Sequence, residues 1–507
     1  MTYAIQASRR PGSGDAAVVI PVSVRSRLDS LASSCGDQAG YLDAGSGERV
    51  TWLDVARQAV SFAANLPPGA VVALRAGNPA AFCRAYLAGL AAGVCVAPVD
   101  PRASTSELAG ILDALEATDV VVDTQDAAGL PAGSAATTWI TSADGLRRVR
   151  QGHAPRLLAP GVAALLTTSG TTGQPKLVPL TRPQLLRVAA LVVGHHGMTR
   201  ADRGYCPLPL FHVNAQVVGV LSTLVAGSSL VVDDRFHASH FWSAAEEFNV
   251  TWLNLVPAII GILTESPTPT AAVSRRVRFA RSASAPLPVA VSERFTARTG
   301  IGVLETYGMT EAASQIAANP LSAGERRAGS AGRPAGVRVR VVGSDRREVP
   351  AGSTGAVEIR GRTVIDVYLG RGRSLIPARA ADGWLRTGDV GSLDPGGFLY
   401  LAGRSDDVIN RGGEKVHPRE IEEVLLGDPR VRNAAVVGRP HSVLGEEPVA
   451  CVVVTGEVDS GELLARCSQE LSPYKRPVSV VVVDALPAGP GGKVDRRALR
   501  ARLAHPA

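Results

Sequence analysis

Lysine is nearly absent from this chain. Four lysines, Lys176, Lys415, Lys475 and Lys493, stand among 53 basic residues in a chain of 507. Arginine therefore supplies most of the positive charge. The two side chains are not interchangeable, because arginine is a planar fork of donors and lysine is a compact ammonium on a flexible stem. A lysine that persists in such a chain is a candidate for a task that needs a flexible point charge. Two of the four lie in glycine-rich segments, where we expect chemistry.

Cysteine is also scarce, and long apolar runs are missing. The six cysteines are far apart and form no CxxC pair, which argues against a zinc finger or a disulfide framework and favours a reducing cytoplasm. The first 15 residues lack the apolar core of a secretory signal. The longest apolar stretch, 85–99, is too short to span a bilayer. We therefore predict a cytoplasmic protein without a membrane span.

Aromatic residues are few, at 4% of the chain, although the net charge is +7. Few aromatics leave little material for stacking on unpaired bases, and the arginines are scattered rather than gathered in one stripe. We therefore predict no nucleic-acid partner. The charge favours an anionic small molecule such as a nucleotide.

The pattern of apolar runs predicts an α/β protein of more than one domain. Up to about residue 329, apolar runs such as 71–74, 94–99 and 120–122 alternate with helical patterns, as in βα units on largely parallel sheets. The runs at 337–342 and 356–360 alternate in period two instead, which predicts a small antiparallel, barrel-like β unit. We predict a tail over 1–20, a large N-terminal domain over 21–403 built from two βα-sheet subdomains and this β unit, a polar joint at 404–407, and a smaller α+β domain over 408–507.

A strand-like apolar run at 163–166 leads into the segment TSGTTGQPK at 168–176. Glycine lets a backbone approach a phosphate closely, while hydroxyls, amides and a lysine supply hydrogen bonds and charge. The spacing does not match the P-loop pattern, GxxxxGK followed by Ser or Thr. By composition alone the loop therefore suggests phosphate binding, and a flexible surface turn is the alternative.

Five ordered segments resemble the signature motifs of the adenylate-forming superfamily, which includes acyl-CoA synthetases. They are TSGTTGQPK at 168–176, YGMTE at 307–311, GWLRTGD at 383–389, GRSDD at 403–407 and GKVDR at 492–496. The resemblance covers about residues 25–503. It implies a reaction in which a carboxylate attacks the α-phosphate of ATP to give acyl-AMP, followed by thioester formation on coenzyme A.

The resemblance also implies a role for each residue of the ATP site. Lys493 would bridge the carboxylate and the phosphate, Thr310 would contact the α-phosphate, and Glu311 would hold Mg²⁺. Asp389 would accept the ribose hydroxyls with help from Arg404. The β- and γ-phosphates would lie against the glycine-rich loop, through Thr168, Ser169, Gly170, Thr171, Thr172, Gly173 and Lys176. The adenine slot would comprise Ser284, Ala285, Pro286, Glu305, Thr306, Tyr307 and Gly308, followed by Met309 of the same motif.

Three further assignments concern the acid, the thiol and the joint. The segment PLFHV at 209–213 resembles the family's acyl-channel motif and places His212 near the carboxylate, with a buried structural histidine as the rival interpretation. Gly412 and Gly413 would line the coenzyme A tunnel. Asp406 matches the family's hinge position, where a few dihedrals absorb a rotation of the C-terminal domain.

The subgroup most similar in two segments is that of oxalate–CoA ligases. The segments are INRGGEK at 409–415 and RSASA at 281–285, whereas Ser314 stands where that subgroup tends to have a histidine. A dicarboxylate needs a polar, cationic pocket, and the stretch 213–219 consists mostly of small and apolar residues. The sequence therefore predicts an acid larger and more hydrophobic than oxalate.

Three functions stay open on the sequence. The complete motif set favours an acyl-CoA synthetase. An acyl-AMP ligase that stops at the adenylate, or passes the acyl group to a carrier protein or partner enzyme, is the first alternative. A non-enzymatic scaffold with a dead site is the second, and loss of Lys493 or Glu311 would have favoured it.

Overall fold

Two large sheets form most of the fold in the computed structural model, which describes residues 3–4, 19–124, 130, 135–152, 157–158, 161–168, 176–488 and 494–504. Each sheet has nine strands in these residues. The first sheet contains, in spatial order, Leu375–Pro377, Val367–Leu369, Lys176–Thr181, Val162–Thr168, Cys95–Pro98, Val71–Arg75, Asp119–Val122, Thr137–Ser142 and Gly145–Arg150. The second contains Arg333–Pro334, Ala317–Ala318, Val303–Tyr307, Ala280–Ser282, Trp252–Leu255, Arg203–Cys206, Ser229–Val232, Ala39–Asp43 and Arg49–Thr51.

The centre of each sheet is parallel and covered by helices. Strands Val71–Arg75 and Ser229–Val232 are buried at every position, as expected of parallel strands with helices on both faces. The helices of this part are Val24–Cys35, Trp52–Asn65, Pro79–Ala92, Thr105–Leu115, Arg182–His195, Ser222–Ala226, Phe241–Glu247, Pro257–Glu265, Ala271–Arg276 and Val289–Thr299, with a π-helix at Ala215–Leu221. In open parallel sheets, ligands bind beyond the carboxyl ends of the strands. A site is therefore expected at the edge of each sheet where its parallel strands end.

Local sequence explains where several helices begin. The hydroxyls of Thr51, Ser104 and Thr181 each accept a hydrogen bond from the backbone amide three residues on, and the side chain at that position reaches back to the cap. Each reciprocal pair satisfies two backbone donors that a helix start leaves unpaired. These caps fix the entry of the helices that cover the sheets.

Two smaller sheets follow the large ones. Strands Arg338–Val342, Gly355–Arg360, Leu385–Leu393 and Leu399–Arg404 form a four-stranded antiparallel sheet. The C-terminal sheet contains Glu414–Val416, Ile409–Arg411, Gly445–Val454, Val431–His441 and Ser479–Val482, with helices Pro418–Leu426, Ser460–Glu470 and Arg496–Ala504. Short strands Tyr3–Ala4 and Val19–Ile20 pair with each other within the predicted tail.

The predicted fold class is confirmed: a large α/β part with mixed sheets, an antiparallel β unit and a smaller α+β part. The exact domain boundaries stay a prediction. The C-terminal part meets the larger part through helix Pro418–Leu426, where Arg419 Nη1 donates to the Leu401 carbonyl at 2.7 Å and Glu423 accepts from the Val289 amide at 3.2 Å. No helix among the described residues is long and apolar enough to cross a membrane.

Candidate active site

The carboxylate of Asp389 lies where three of the sequence motifs meet. Asp389 pairs in register with Arg404 on the neighbouring strand of the β unit. Its Oδ1 lies 3.1 Å from Arg404 Nη1, and its Oδ2 accepts a hydrogen bond from the Tyr307 hydroxyl. Burial and the nearby Asp389 charge raise the pKa of Tyr307, so the phenol stays protonated and donates. The structure thus gathers three residues predicted to bind the nucleoside.

The chain after Tyr307 turns back tightly on itself. Thr310–Ala312 is one turn of 3₁₀-helix, the Ser314 amide donates to the Met309 carbonyl at 3.1 Å, and the Ile316 amide donates to the Tyr307 carbonyl at 2.8 Å. A Cβ atom added at Gly308 would lie 1.3 Å from the Ser314 carbonyl oxygen. The glycine of this motif is therefore required by space, and the turn it permits carries both Thr310 and Glu311.

Glu311 is joined to the glycine-rich segment by a residue that the sequence analysis missed. The Tyr368 hydroxyl donates to Glu311 Oε1 at 3.0 Å, and Lys176 Nζ lies 5.3 Å from the centre of the Tyr368 ring. Burial and the Glu311 charge raise the pKa of Tyr368. Strand Val367–Leu369 pairs with strand Lys176–Thr181 through Leu369 and Leu177, and no motif in the sequence signals this pairing.

Several predicted residues lie outside the described part of the chain. They are Ser169, Gly170, Thr171, Thr172, Gly173 and Lys493. Thr168 ends strand Val162–Thr168 and stands in register with Lys176 at the start of the antiparallel neighbour. The two described residues that flank the predicted phosphate loop therefore lie side by side, at the carboxyl end of strand Val162–Thr168.

The predicted adenine slot lies at the ends of two neighbouring parallel strands, Ala280–Ser282 and Val303–Tyr307. Thr306 is buried and its hydroxyl donates to the Ser282 carbonyl at 3.1 Å, so it fastens the strands together. Ser284 adopts φ +74°, a conformation that is uncommon for a residue with a side chain and that recurs at functional sites. Ala285 and Pro286 follow it directly, with Pro286 exposed.

Glu305 links the predicted adenine slot to helix Pro418–Leu426 of the C-terminal part. Burial raises the pKa of Glu305 to about 7, and the Arg419 charge and a hydrogen bond from the Gly329 amide offset part of the rise. Glu423, on the same helix as Arg419, pushes in the direction of the rise. Near neutral pH the Glu305 carboxyl is therefore poised between its neutral and charged forms.

We expect Glu305→Gln to change the pH dependence of stability. The folded pKa of about 7 exceeds the ordinary value of 4.5, so the folded state binds more protons than the unfolded state between these values. The contribution of Glu305 is then full below pH 4.5 and declines as pH rises towards 7. Melting temperatures from pH 4.5 to 8 should decline less for Glu305→Gln than for wild type. Glu325→Gln, at an exposed position, is the control, and identical profiles for all three proteins would contradict the assignment.

His212 lies in the predicted channel segment. Its ring centre is 4.4 Å from that of Phe211, and its amide donates to the Pro209 carbonyl at 3.1 Å. Burial raises the pKa of the nearby Asp100 carboxyl, but hydrogen bonds and the charge of Arg102 bring it below its ordinary value, and His212 makes the smallest contribution. Its predicted place near the substrate carboxylate stays a prediction.

Gly412 and Gly413 form the two-residue turn between strands Ile409–Arg411 and Glu414–Val416. Their φ angles are +62° and +94°, which glycine adopts without strain. Arg411 Nη1 ties the hairpin to the carbonyls of Pro473, Tyr474 and Arg476 at 2.9–3.2 Å. Lys475 forms an ion pair with Glu420, which gives this lysine a structural partner.

The predicted hinge residue Asp406 is exposed in the turn Ser405–Asp407. Its neighbour Asp407 lies 3.5 Å from Arg496 and 3.4 Å from Arg500 of the last helix. Asp407 therefore belongs to the C-terminal part by its contacts, and Asp406 stands at the join. Its role as a hinge stays a prediction.

The chain belongs to the AMP-binding enzyme family. That family matches residues 29–369, and the C-terminal domain of AMP-binding enzymes matches residues 420–493. The predicted membership of the adenylate-forming superfamily is confirmed.

Named relatives are ligases that join acids to coenzyme A. A sulfoacetate–CoA ligase of Cupriavidus necator is 45% identical over 336 residues, which span 66% of this chain and 66% of that relative. An oxalate–CoA ligase of Arabidopsis thaliana is 33% identical and covers 86% of this chain and 88% of its own. The match with the first relative thus spans about two thirds of its length.

A solved structure shares the fold over nearly the whole chain. ATP-bound MatB from Rhodopseudomonas palustris superposes with a TM-score of 0.84 at 28% identity, covering 95% of this chain and 99% of that one. The kinship with oxalate–CoA ligases that the sequence suggested is present among these relatives.

Proposed function

We propose that this chain activates a carboxylic acid with ATP and transfers the acyl group to coenzyme A. The observation that carries the proposal is the turn after Tyr307. At one end of the turn, Tyr307 donates to Asp389 beside Arg404; at the other, Glu311 accepts from Tyr368 beside Lys176. Tyr307, which orients the carboxylate proposed to accept the ribose hydroxyls, and Glu311, which is suited to a phosphate-bound cation, thus stand four residues apart on one turn. This arrangement fits a nucleoside triphosphate.

The residues present fit a bound Mg²⁺. Mg²⁺ is usually held by one or two carboxylates together with substrate phosphates, and the hydrogen bond from Tyr368 fixes the Glu311 carboxylate that would hold it. When bound, the ion offsets the negative charge that opposes the approach of a carboxylate to a phosphate. Lys176 adds positive charge on the same side.

The proposed reaction has two balanced steps. In the first, a carboxylate oxygen of the acid bonds to the α-phosphorus of ATP and the bond to the bridging oxygen breaks, which releases pyrophosphate. In the second, the thiol of coenzyme A attacks the acyl carbonyl, AMP leaves and the thiol proton passes to solvent. Lys493 and Thr310 would stabilise the charge that develops in the first step.

Acid-dependent exchange of pyrophosphate into ATP tests the first step. We expect exchange with at least one acid of a panel, and formation of AMP and acyl-CoA once coenzyme A is added. Exchange without a thioester would favour the acyl-AMP ligase, which hands its acyl group to a carrier protein or partner enzyme. No exchange with any acid would overturn the proposal.

Lys493→Ala should abolish adenylation and leave thioester formation from supplied acyl-AMP largely intact. The ammonium is needed only where two anions approach each other, and that happens in the first step. Each half-reaction is measured separately, with Lys475→Ala as the control for loss of one lysine in the C-terminal part, since Lys475 pairs with Glu420. Equal loss in both half-reactions would contradict a C-terminal domain that presents different residues to each step.

Gly413→Leu should slow thioester formation more than adenylation. The glycine lies at a turn with open space around its Cα, so a bulky side chain would project where pantetheine is proposed to pass. Gly413→Ala imposes the same backbone strain at φ +94° with little bulk and separates strain from obstruction. If both variants slow the two steps alike, the tunnel assignment is wrong.

The acid and the compartment complete the proposal. That the acid is larger and more hydrophobic than oxalate stays a prediction. Two relatives are named for sulfoacetate and oxalate, and each of these acids has two acidic groups. We place the enzyme in the cytoplasm. All six thiols are free and five of them are buried, which fits a reducing compartment.

A further inference from the structure

Arg281 is a buried cation in the second sheet. It lies in strand Ala280–Ser282, with 1% of its surface exposed. In the part of the chain that the structure describes, it forms no ion pair with an Asp or Glu. Its Nη1 donates to the amide oxygens of Asn214 at 2.9 Å and Asn254 at 3.2 Å, and its Nε has no partner. Arginine is rarely buried without a carboxylate, so this arrangement calls for an explanation.

The surroundings do not supply a negative charge. Burial and the charge of Arg281 hold the pKa of His195 at about 4, and the pKa of His196 also lies below its ordinary value, so both rings are neutral. Burial raises the pKa of the Cys206 thiol. Burial lowers the pKa of Arg281 to about 9, with a smaller opposing effect of Cys206, which leaves the guanidinium charged at neutral pH. The fold therefore maintains an uncompensated positive charge.

This charge lies next to the predicted acid channel. Asn214, which holds Arg281, comes two residues after His212, and its Nδ2 lies 3.5 Å from Ser284 Oγ in the predicted adenine slot. Asn214 therefore connects Arg281 with His212 along the chain and with Ser284 in space. His212 is proposed to lie near the acid, and Ser284 near the adenine of the nucleotide. In the sequence, the stretch 213–219 is mostly small and apolar, and Arg281 stands out only as the first residue of the segment RSASA.

The polar character of this region extends beyond the arginine. The segment after Asn214 is the π-helix Ala215–Leu221, a form that is rare and often marks functional sites. Gln216 on it is fully buried, and both atoms of its amide lack partners; the buried Ser282 hydroxyl, next to Arg281 in the strand, also lacks one. Buried polar atoms without partners are costly, so a polar ligand that supplied partners to these atoms would offset that cost.

We propose that the acid substrate carries a second anionic group and that Arg281, held by Asn214 and Asn254, binds that group. The inference rests on the proposed function and narrows its substrate class to compact dianionic acids, such as dicarboxylates and sulfonated carboxylates. It replaces the more hydrophobic acid that the sequence predicts. The unpartnered Nε supplies a further donor for the distal anion. A guanidinium fork matches carboxylate and sulfonate oxygens well. Arg281 acts as a specificity residue, while the reacting carboxylate remains with the ATP site.

Matched pairs of acids test the proposal. We would measure kcat/KM for pyrophosphate exchange with oxalate, malonate and sulfoacetate against acetate, propionate and hexanoate. Wild type should prefer at least one dianionic acid over its monoanionic counterpart by at least about a hundredfold, as expected when one well-placed ion pair is lost. Exchange only with monoanionic or larger hydrophobic acids would overturn this inference and leave the proposed function intact. No exchange with any acid would overturn both.

Substitution separates a binding role from a structural one. Arg281→Met should lower kcat/KM for the dianionic acid about a hundredfold, mainly through KM, and change that for monoanionic acids less than threefold. Because an unpaired buried charge is costly, the melting temperature of Arg281→Met should equal or exceed that of wild type. Arg276→Met is the matched control, since the Arg276 guanidinium donates to the backbone carbonyls of Ala245, Glu246 and Val250, away from the predicted site.

A second variant, Arg281→Lys, tests the proposal if Arg281→Met does not fold. Arg281→Lys keeps the charge but loses the fork, so it should retain part of the preference for dianionic acids. Equal loss with both classes of acid, together with a lower melting temperature, would show that Arg281 only braces Asn214 and Asn254 and would overturn the inference. A rise in the melting temperature of wild type, but not of Arg281→Met, on adding the dianionic acid without ATP would support it independently of turnover.

Discussion

Asp389→Ala should lower the rate of pyrophosphate exchange at subsaturating ATP by roughly 10²- to 10⁴-fold, because two hydrogen bonds from ribose hydroxyls to a charged group are lost at about 1.5–3 kcal/mol each. The loss should appear mainly as a higher KM for ATP, since the ribose does not react. The carboxylate is only 14% exposed and is already oriented by Tyr307 and Arg404. No reorganisation is then needed when ATP arrives.

The same substitution should cost about 1–3 kcal/mol of stability, because the Tyr307 hydroxyl loses its acceptor. The ion pair adds little, since Arg404 is 48% exposed and such pairs contribute about 0–1 kcal/mol. A large loss of exchange in a protein that stays folded at the assay temperature would therefore separate binding from folding. Asp345→Ala, at an exposed turn of the β unit, controls for loss of a carboxylate. An unchanged KM for ATP in Asp389→Ala would contradict the ribose assignment.

Gly308→Ala should abolish measurable adenylation by a different route. The added Cβ would lie 1.3 Å from the Ser314 carbonyl oxygen, and backbone cannot yield as a side chain would. The turn must shift, and Thr310 and Glu311 shift with it. Displacements of about 1 Å cost roughly a hundredfold in rate, and overpacking costs about 1–3 kcal/mol of stability.

Both effects of Gly308→Ala are measurable on one preparation. Exchange should fall at least about a hundredfold at saturating ATP and acid, and the melting temperature should decline. Gly324→Ala is the matched control, because its Cβ would meet no atom within 4 Å and it lies in a short 3₁₀ turn of the same sheet region. Wild-type exchange in Gly308→Ala would show that the turn is looser than its packing indicates.

The sequence predicted the fold class and the family well for a physical reason. Thr310 and Glu311, two of the groups proposed to bind the nucleotide, lie on a short loop directly after a strand, so residues that are close in the chain are also close in space. The segment 307–311 is such a loop, and its contacts with Ser314 and Ile316 are local. Alternation of apolar runs and helices likewise predicts parallel sheets, because each βα unit must bury its own face.

Long-range contacts were out of reach of the same reasoning. Tyr368 meets Glu311 across 57 residues, and Arg281 meets Asn214 across 67. Such pairs depend on strand register and on the direction in which a helix runs. The residue type of a tyrosine or an arginine does not indicate which residue it will contact. The stretch 213–219 looked apolar in the sequence, yet its folding into a π-helix places Asn214 against a buried guanidinium.

The sequence by itself thus determined that this chain is an α/β adenylate-forming protein of the AMP-binding enzyme family, because ordered local motifs carry that information. The tertiary structure alone decided which side chains complete the site. It set the partner of Glu311, the half-neutral state of Glu305 beside Arg419, and the uncompensated charge of Arg281. Burial and charge environment arise only when distant segments pack together, and these two properties set the charge state of each side chain in the candidate site.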